Sequence, residues 1–127
     1  GVHLNRVLLM LAILDRRLGF NLGSLDVYVN AAGGLRIEEP AIDLGICVAL
    51  ISSFRGIPVN TGTVLVGEVG LAGEVRRVPQ LEKRILEARQ LGFGRCLVPR
   101  GEALAIDGIE VVEVPSVGAA IELALGG

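Results

Sequence analysis

Apolar positions along the chain recur with spacings near 3.6 in some stretches and 2 in others, which predicts helices interleaved with strands. "HLNRVLLMLAILDRRLG" reads as a helix, apolar on most sides, with Arg16 and Arg17 complementing the dipole of its last turn and Gly19 as its stop. "LDVYVNAA" (Leu25 to Ala32) alternates and is rich in strand formers, and after a Gly-Gly turn "LRIEE" reads as a second, short strand. "PAIDLGICVALISSF" (Pro40 to Phe54) follows as a helix with proline in its first turn. Being apolar almost all round, it is expected to be the central buried helix.

"TVLVGEVGLAGEVRRV" (Thr63 to Val78) reads as two strands joined by a turn at Gly70 to Gly73. "PQLEKRILEARQLG" (Pro79 to Gly92) is an amphipathic helix whose stripe is Leu81, Ile85, Ala88 and either Leu91 or Phe93. "RCLVP" and "IEVVEV" read as strands, and "SVGAAIELAL" as a closing helix capped by Ser116. The alternation predicts an α/β or α+β sandwich, with helices packed on a mixed sheet, and the length of 127 residues suits one domain.

Composition adjusts this picture in a few places. The longest unbroken apolar stretches, such as Val7 to Leu14, fall far short of a membrane span, and Gly1 opens without a basic leader or cleavage site. A cytoplasmic location is the expectation, and so abrupt a start reads as a piece of a longer protein. Net charge is −2, so any polyanion site has to be a local patch. Eleven of the twelve basic residues are arginine, and Lys83 is the single lysine. Cys47 and Cys96 each lie inside an apolar run and read as buried free thiols, not a disulfide or metal pair. His3 is the one histidine, which leaves nothing to build a histidine-ligated metal site.

Three groupings invite a chemical reading. The glycines of "GEVGLAGEV" match no phosphate-binding loop and are explained by a hairpin turn. Glu38, Glu39 and Asp43 could act as an acid/base or divalent-metal cluster. For the two glutamates, charge complementarity with a helix N-terminus, worth a few tenths to about 1 kcal/mol each, is the simpler account. Asp43 stands apart as the one charge within a long apolar helix, which asks for a buried partner such as Arg84 or a subunit boundary. A Ser–Lys dyad would need Ser52 or Ser53 with Lys83. Both serines fall at the wrong end of their helix, and Lys83 lies off the apolar stripe of its own.

The order of "VNAAGGLRIEEPAIDLGICVALISS", "VLVGEVGLAGEVRRVPQLEKRILEARQLGF" and "CLVP" resembles the Lon-protease-like C-terminal domain of the RadA (Sms) family of bacterial DNA repair ATPases, over nearly the whole chain. That resemblance implies the fold of ribosomal protein S-five domain two. It implies one domain over residues 1–127, with the first strands, the zinc-binding cysteines and the RecA-like ATPase of a full family member lying outside it. ATP, magnesium and zinc are then expected only in those other domains. A Lon peptidase domain is similar at the hairpin but carries a Gly-Pro-Ser-Ala-Gly element and a helical lysine. Placed on this chain, the nucleophile falls on Ala41, the second glycine on Asp43 and the lysine on Arg84. Ala41 offers no nucleophile, and a guanidinium with a pKa above about 12 cannot serve as a neutral base.

By resemblance, then, the domain is a non-catalytic scaffold that assembles as a homo-oligomeric ring, a hexamer, beside its ATPase. It would help hold DNA during branch migration, with a recombinase as partner and no role at a membrane. Arg16, Arg17, Arg55, Arg76 and Arg77 are the candidate phosphate contacts, and an Asp43–Arg84 ion pair is expected where the peptidase keeps its dyad. The Lon-like domain of Mg-chelatase-related competence proteins, whose hairpin is similar, is the alternative, and a Ser–Lys peptidase is a further one.

Overall fold

The computed structural model describes residues 40–101 and 104–126, so the helix and strands expected before residue 40 lie outside the described residues. A 3₁₀ turn at Pro40–Ile42 leads into α1 (Asp43–Arg55), which ends on Gly56 in the left-handed conformation. β1 (Thr63–Leu65), β2 (Glu68–Val69) and β3 (Val75–Arg76) follow, then α2 (Leu81–Gln90), β4 (Arg95–Pro99), β5 (Glu110–Val114) and α3 (Val117–Leu125).

β1, β4 and β5 form a parallel sheet in the order β1-β4-β5, with Val64, Cys96 and Val111 in register, and likewise Leu65, Leu97 and Val112. Because side chains alternate across a strand, this register sorts the apolar residues onto two faces. Leu97 and Val114 meet Leu44, Cys47, Val48 and Ile51 of α1 and Val117, Ala120, Ile121 and Ala124 of α3. Cys96 and Val98 meet Leu81, Ile85 and Ala88 of α2 on the other face. Among the described residues the result is an α/β fold of three layers, with a helix pair on one side of the sheet and a single helix on the other.

The segment expected as two strands is divided in three. β1 joins the parallel sheet, whereas β2 and β3 pair antiparallel as a separate short ribbon. The break falls at Gly67, whose N–H donates to the Ala41 carbonyl (2.9 Å) and whose own carbonyl accepts from the Leu44 N–H (3.0 Å). Gly67 therefore spends its backbone groups on the start of α1 and has none left for a ladder. A Cβ built there would stand 2.6 Å from Cγ1 of Val75, a β-branched side chain with little rotamer freedom.

Other boundaries follow from single residues. Gln80 adopts φ 56°, ψ 40°, so Pro79 and Gln80 stay outside α2. At the far end of α2 the choice between Leu91 and Phe93 is settled by a turn through Gly92. The Phe93 N–H bonds to the Ala88 carbonyl and its ring packs on the α2 face of the sheet, leaving Leu91 78% exposed. Ser116 caps α3 as expected, its Oγ accepting from the Ala119 N–H at 3.1 Å. α1 is less enclosed than its sequence implied, with Leu44, Cys47, Val48, Leu50 and Ile51 buried but Ala49 and Phe54 exposed.

Gly67→Ala is expected to destabilise the fold by about 1–3 kcal/mol, the usual cost of overpacking a tight site. Denaturant unfolding should show a lower midpoint at unchanged slope. Adding Val75→Ala should then cost less in the Gly67→Ala background than in the native one, since it removes the clash.

Candidate functional site

The place of interest is the junction between the 3₁₀ turn, the start of α1 and the β1–β2 connection. Ala41, at the expected nucleophile position, is buried at 4% exposure and gives its carbonyl to Gly67. Two residues on, Asp43 opens α1 and is fully buried, and its Oδ2 accepts the Val69 N–H at 3.1 Å. A carboxylate at this point also meets the positive end of α1. Cys47, one turn later, has its thiol pushed up to about 12 by burial and then by the Asp43 charge. Cys96, on the opposite face of the sheet, is pushed up to about 12 by burial. Both are free thiols that stay protonated at neutral pH, as the apolar runs around them implied.

Arg84, at the expected lysine position, is half-buried on the first turn of α2, and its Nε donates to the Pro79 carbonyl at 2.9 Å. The contact braces the turn in which Gln80 takes its left-handed conformation. Lys83 is exposed beside it. Asp43 and Arg84 thus each hold a backbone group, of Val69 and of Pro79 respectively. Glu38 and Glu39 lie outside the described residues, as do Arg16 and Arg17. Among the described residues no group of three or more His, Cys, Asp and Glu side chains could hold a metal ion. No helix among them is long and apolar enough to cross a membrane.

The remaining candidate arginines separate to two ends of the domain. Arg55 is exposed at the C-terminus of α1, where its charge complements the dipole. Arg76 and Arg77 lie beyond the opposite, carboxyl end of the parallel strands, at and just after β3. Arg76 is held by Glu74, with Nε and Nη2 at 3.1 and 3.0 Å from Oε2. Arg77 Nη2 donates to the Gly101 carbonyl at 3.2 Å.

Sequence reasoning missed the Glu74 side chain. Its Oε1 accepts the Ala72 N–H at 3.0 Å while Oε2 holds Arg76, so one carboxylate braces the hairpin turn from both sides. The available signal was the i, i+2 spacing of Glu74 and Arg76 on a strand, which puts both on one face. Also missed was the clasp on the last turn of α3. There Arg95 Nη2 (2.8 Å) and Asn60 Nδ2 (3.1 Å) both donate to the Leu123 carbonyl, and the Asn60 N–H donates to that of Ala124. Because those partners are distant in sequence, no local pattern announces them.

The model of the family described as subunit ChlI of Mg-chelatase matches residues 6–102. The chain belongs to that family. It is also 47% identical over 126 residues to the DNA repair protein RadA of Synechocystis sp., a match covering 98% of this chain and 25% of that protein. The RadA proteins of Halalkalibacterium halodurans (47%) and Bacillus subtilis (45%) match 99% and 100% of the chain, each over 28% of their own length. The resemblance read from the sequence is therefore to the proteins these matches name. The chain spans about a quarter of the length of the curated relatives it matches.

Hydrogen bonds from its own backbone N–H, then from Arg76, hold the Glu74 carboxyl below its ordinary value of 4.5. A carboxylate depressed in this way stabilises the fold above its unfolded pKa and loses that contribution as pH falls through the folded one. Glu74→Gln should therefore show a shallower loss of thermal midpoint than the native protein on acidification from pH 6 to pH 3. Parallel curves would contradict the assignment.

Proposed function

We propose that this chain is a non-catalytic, Lon-like scaffold domain of a RadA-type DNA repair ATPase. In this reading it supports assembly of a homo-oligomeric ring, a hexamer, and helps to hold DNA during branch migration, in the cytoplasm and with a recombinase as partner. The observation that carries the non-catalytic part is the buried Ala41 at the nucleophile position, its carbonyl spent on Gly67. Arg84 agrees, because a guanidinium stays charged and cannot accept a proton from an attacking group. The RadA name of relatives matching nearly the whole chain supports the DNA repair part. ATP, magnesium and zinc are assigned to the rest of the longer protein.

The proposal keeps the Asp43–Arg84 pairing, in which the arginine offsets the carboxylate that stands where a peptidase has glycine. Ring symmetry multiplies each basic side chain facing a common axis, so a subunit of net charge −2 can still present a basic channel to DNA. A second reading, a Lon-like domain of an Mg-chelatase-related competence protein, is favoured by the description of the matching family. Identity of 45–47% to RadA over almost all of the chain supports the first.

Light scattering and salt-titrated duplex DNA binding on the full-length protein test the proposal together. The expected result is a multi-subunit particle whose DNA affinity falls steeply with salt, with no cleavage of an unfolded protein substrate. A strict monomer without salt-dependent affinity, or cleavage abolished by changing Ala41 or Arg84, would overturn it.

A further inference from the structure

The described residues contain seven arginines, and the structure distinguishes them by what their guanidinium groups already do. Arg76 is held by Glu74, and Arg77, Arg84 and Arg89 donate to the carbonyls of Gly101, Pro79 and Asp107. Arg95 is shared between the Thr63 hydroxyl and the Leu123 carbonyl. Each of these five would have to surrender an intramolecular contact to engage a ligand. Arg55 and Arg100 have no such contact among the described residues, and Arg55 already has a role at the negative end of α1. Arg100 is exposed and has no structural task among those residues.

Its backbone, by contrast, is fixed. Arg100 follows Pro99, the last residue of β4, which is paired with Val114 of β5. It precedes Gly101, whose φ of 97° turns the chain. The Gly101 N–H donates to Glu113 Oε1 at 2.6 Å and its carbonyl accepts from Arg77. The φ of Gly101 lies in the region where an L side chain is strained whatever the space around it, so the corner requires glycine. An exposed guanidinium on a clamped corner is preorganised for binding, since only side-chain freedom is lost when it engages a ligand.

We propose that Arg100, which the sequence did not single out, is the residue through which this domain contacts a nucleic-acid phosphate at the carboxyl end of its parallel sheet. The assignment rests on the DNA-binding reading above. Arg76 then serves the hairpin turn through Glu74, and Arg77 positions Arg100 through Gly101. Phosphate is favoured over a protein carboxylate because the relatives matching nearly the whole chain are named as DNA repair proteins.

The test compares Arg100→Gln, Arg55→Gln and Arg76→Gln in the full-length protein, titrating salt against a duplex DNA probe. Arg100→Gln should weaken binding evenly across probe sequences and reduce the slope of log affinity against log salt by about one per contacting subunit. Its thermal midpoint should match the native protein. An unchanged slope in Arg100→Gln beside a reduced one in Arg55→Gln or Arg76→Gln overturns the assignment and leaves the DNA reading standing. Three unchanged slopes contradict both. Dissociation of the oligomer by Arg100→Gln at unchanged DNA affinity per subunit identifies a neighbouring copy as the ligand and overturns the phosphate assignment.

Discussion

The architecture depends on how the start of α1 is fastened to the end of β1. Ala41 and Leu44 bracket Gly67 with reciprocal backbone bonds, and the buried Asp43 carboxylate takes the Val69 N–H. The fastening also joins the two cores. Ala41 packs in the cluster on the α2 face of the sheet and Leu44 in the cluster on the α1/α3 face. Val66 and Val69, on either side of Gly67, divide between the same two clusters. A buried carboxylate left without hydrogen bonds would cost several kcal/mol, and a buried N–H left unpaired about 1–3 kcal/mol. Each thus removes the other's penalty.

Positive charge is used economically elsewhere. The connection between the parallel strands β4 and β5 contains no helix among its described residues, and two arginines hold it down. Arg77 bonds the Gly101 carbonyl near its start and Arg89 bonds that of Asp107 near its end. Leu104 and Ile106 pack beneath it on the α2 face. Gly101 and Gly108, both with positive φ, turn the chain at those two points. Carbonyl acceptors suit arginine here, because the guanidinium can keep part of its surface in water while the carbonyl is satisfied. Lysine would supply the charge without the planar fork.

What the sequence revealed depended on how local the cause was. α2, β4, β5 and the Ser116 cap are legible because periodicity and capping chemistry act within a few residues. The division of the Thr63 to Val78 segment was not legible, because what stops the ladder at Gly67 is a bond to Ala41, distant in the chain. Exposure of Phe54 and Leu91 was hidden for a similar reason, since an apolar residue's burial depends on what packs against it. At the candidate site, the absence of a nucleophile at Ala41 could be read directly. The oddity of Asp43 could also be seen, but its bond to Val69 belongs to the tertiary fold. Arg76 and Arg77 looked equivalent to any other basic pair until Glu74 and Gly101 were seen to occupy them.

In the proposed reading, Asp43 and Arg84 hold the start of α1 together as structure and perform no chemistry. Denaturant unfolding of Asp43→Ala, Arg84→Ala and the double variant measures this most directly. The account predicts that Asp43→Ala costs about 1–3 kcal/mol, because the Val69 N–H loses its buried acceptor. It also predicts that Arg84→Ala costs less once Asp43 is gone. Asp43→Ala unfolding at the native midpoint, with no loss of stability, would contradict it.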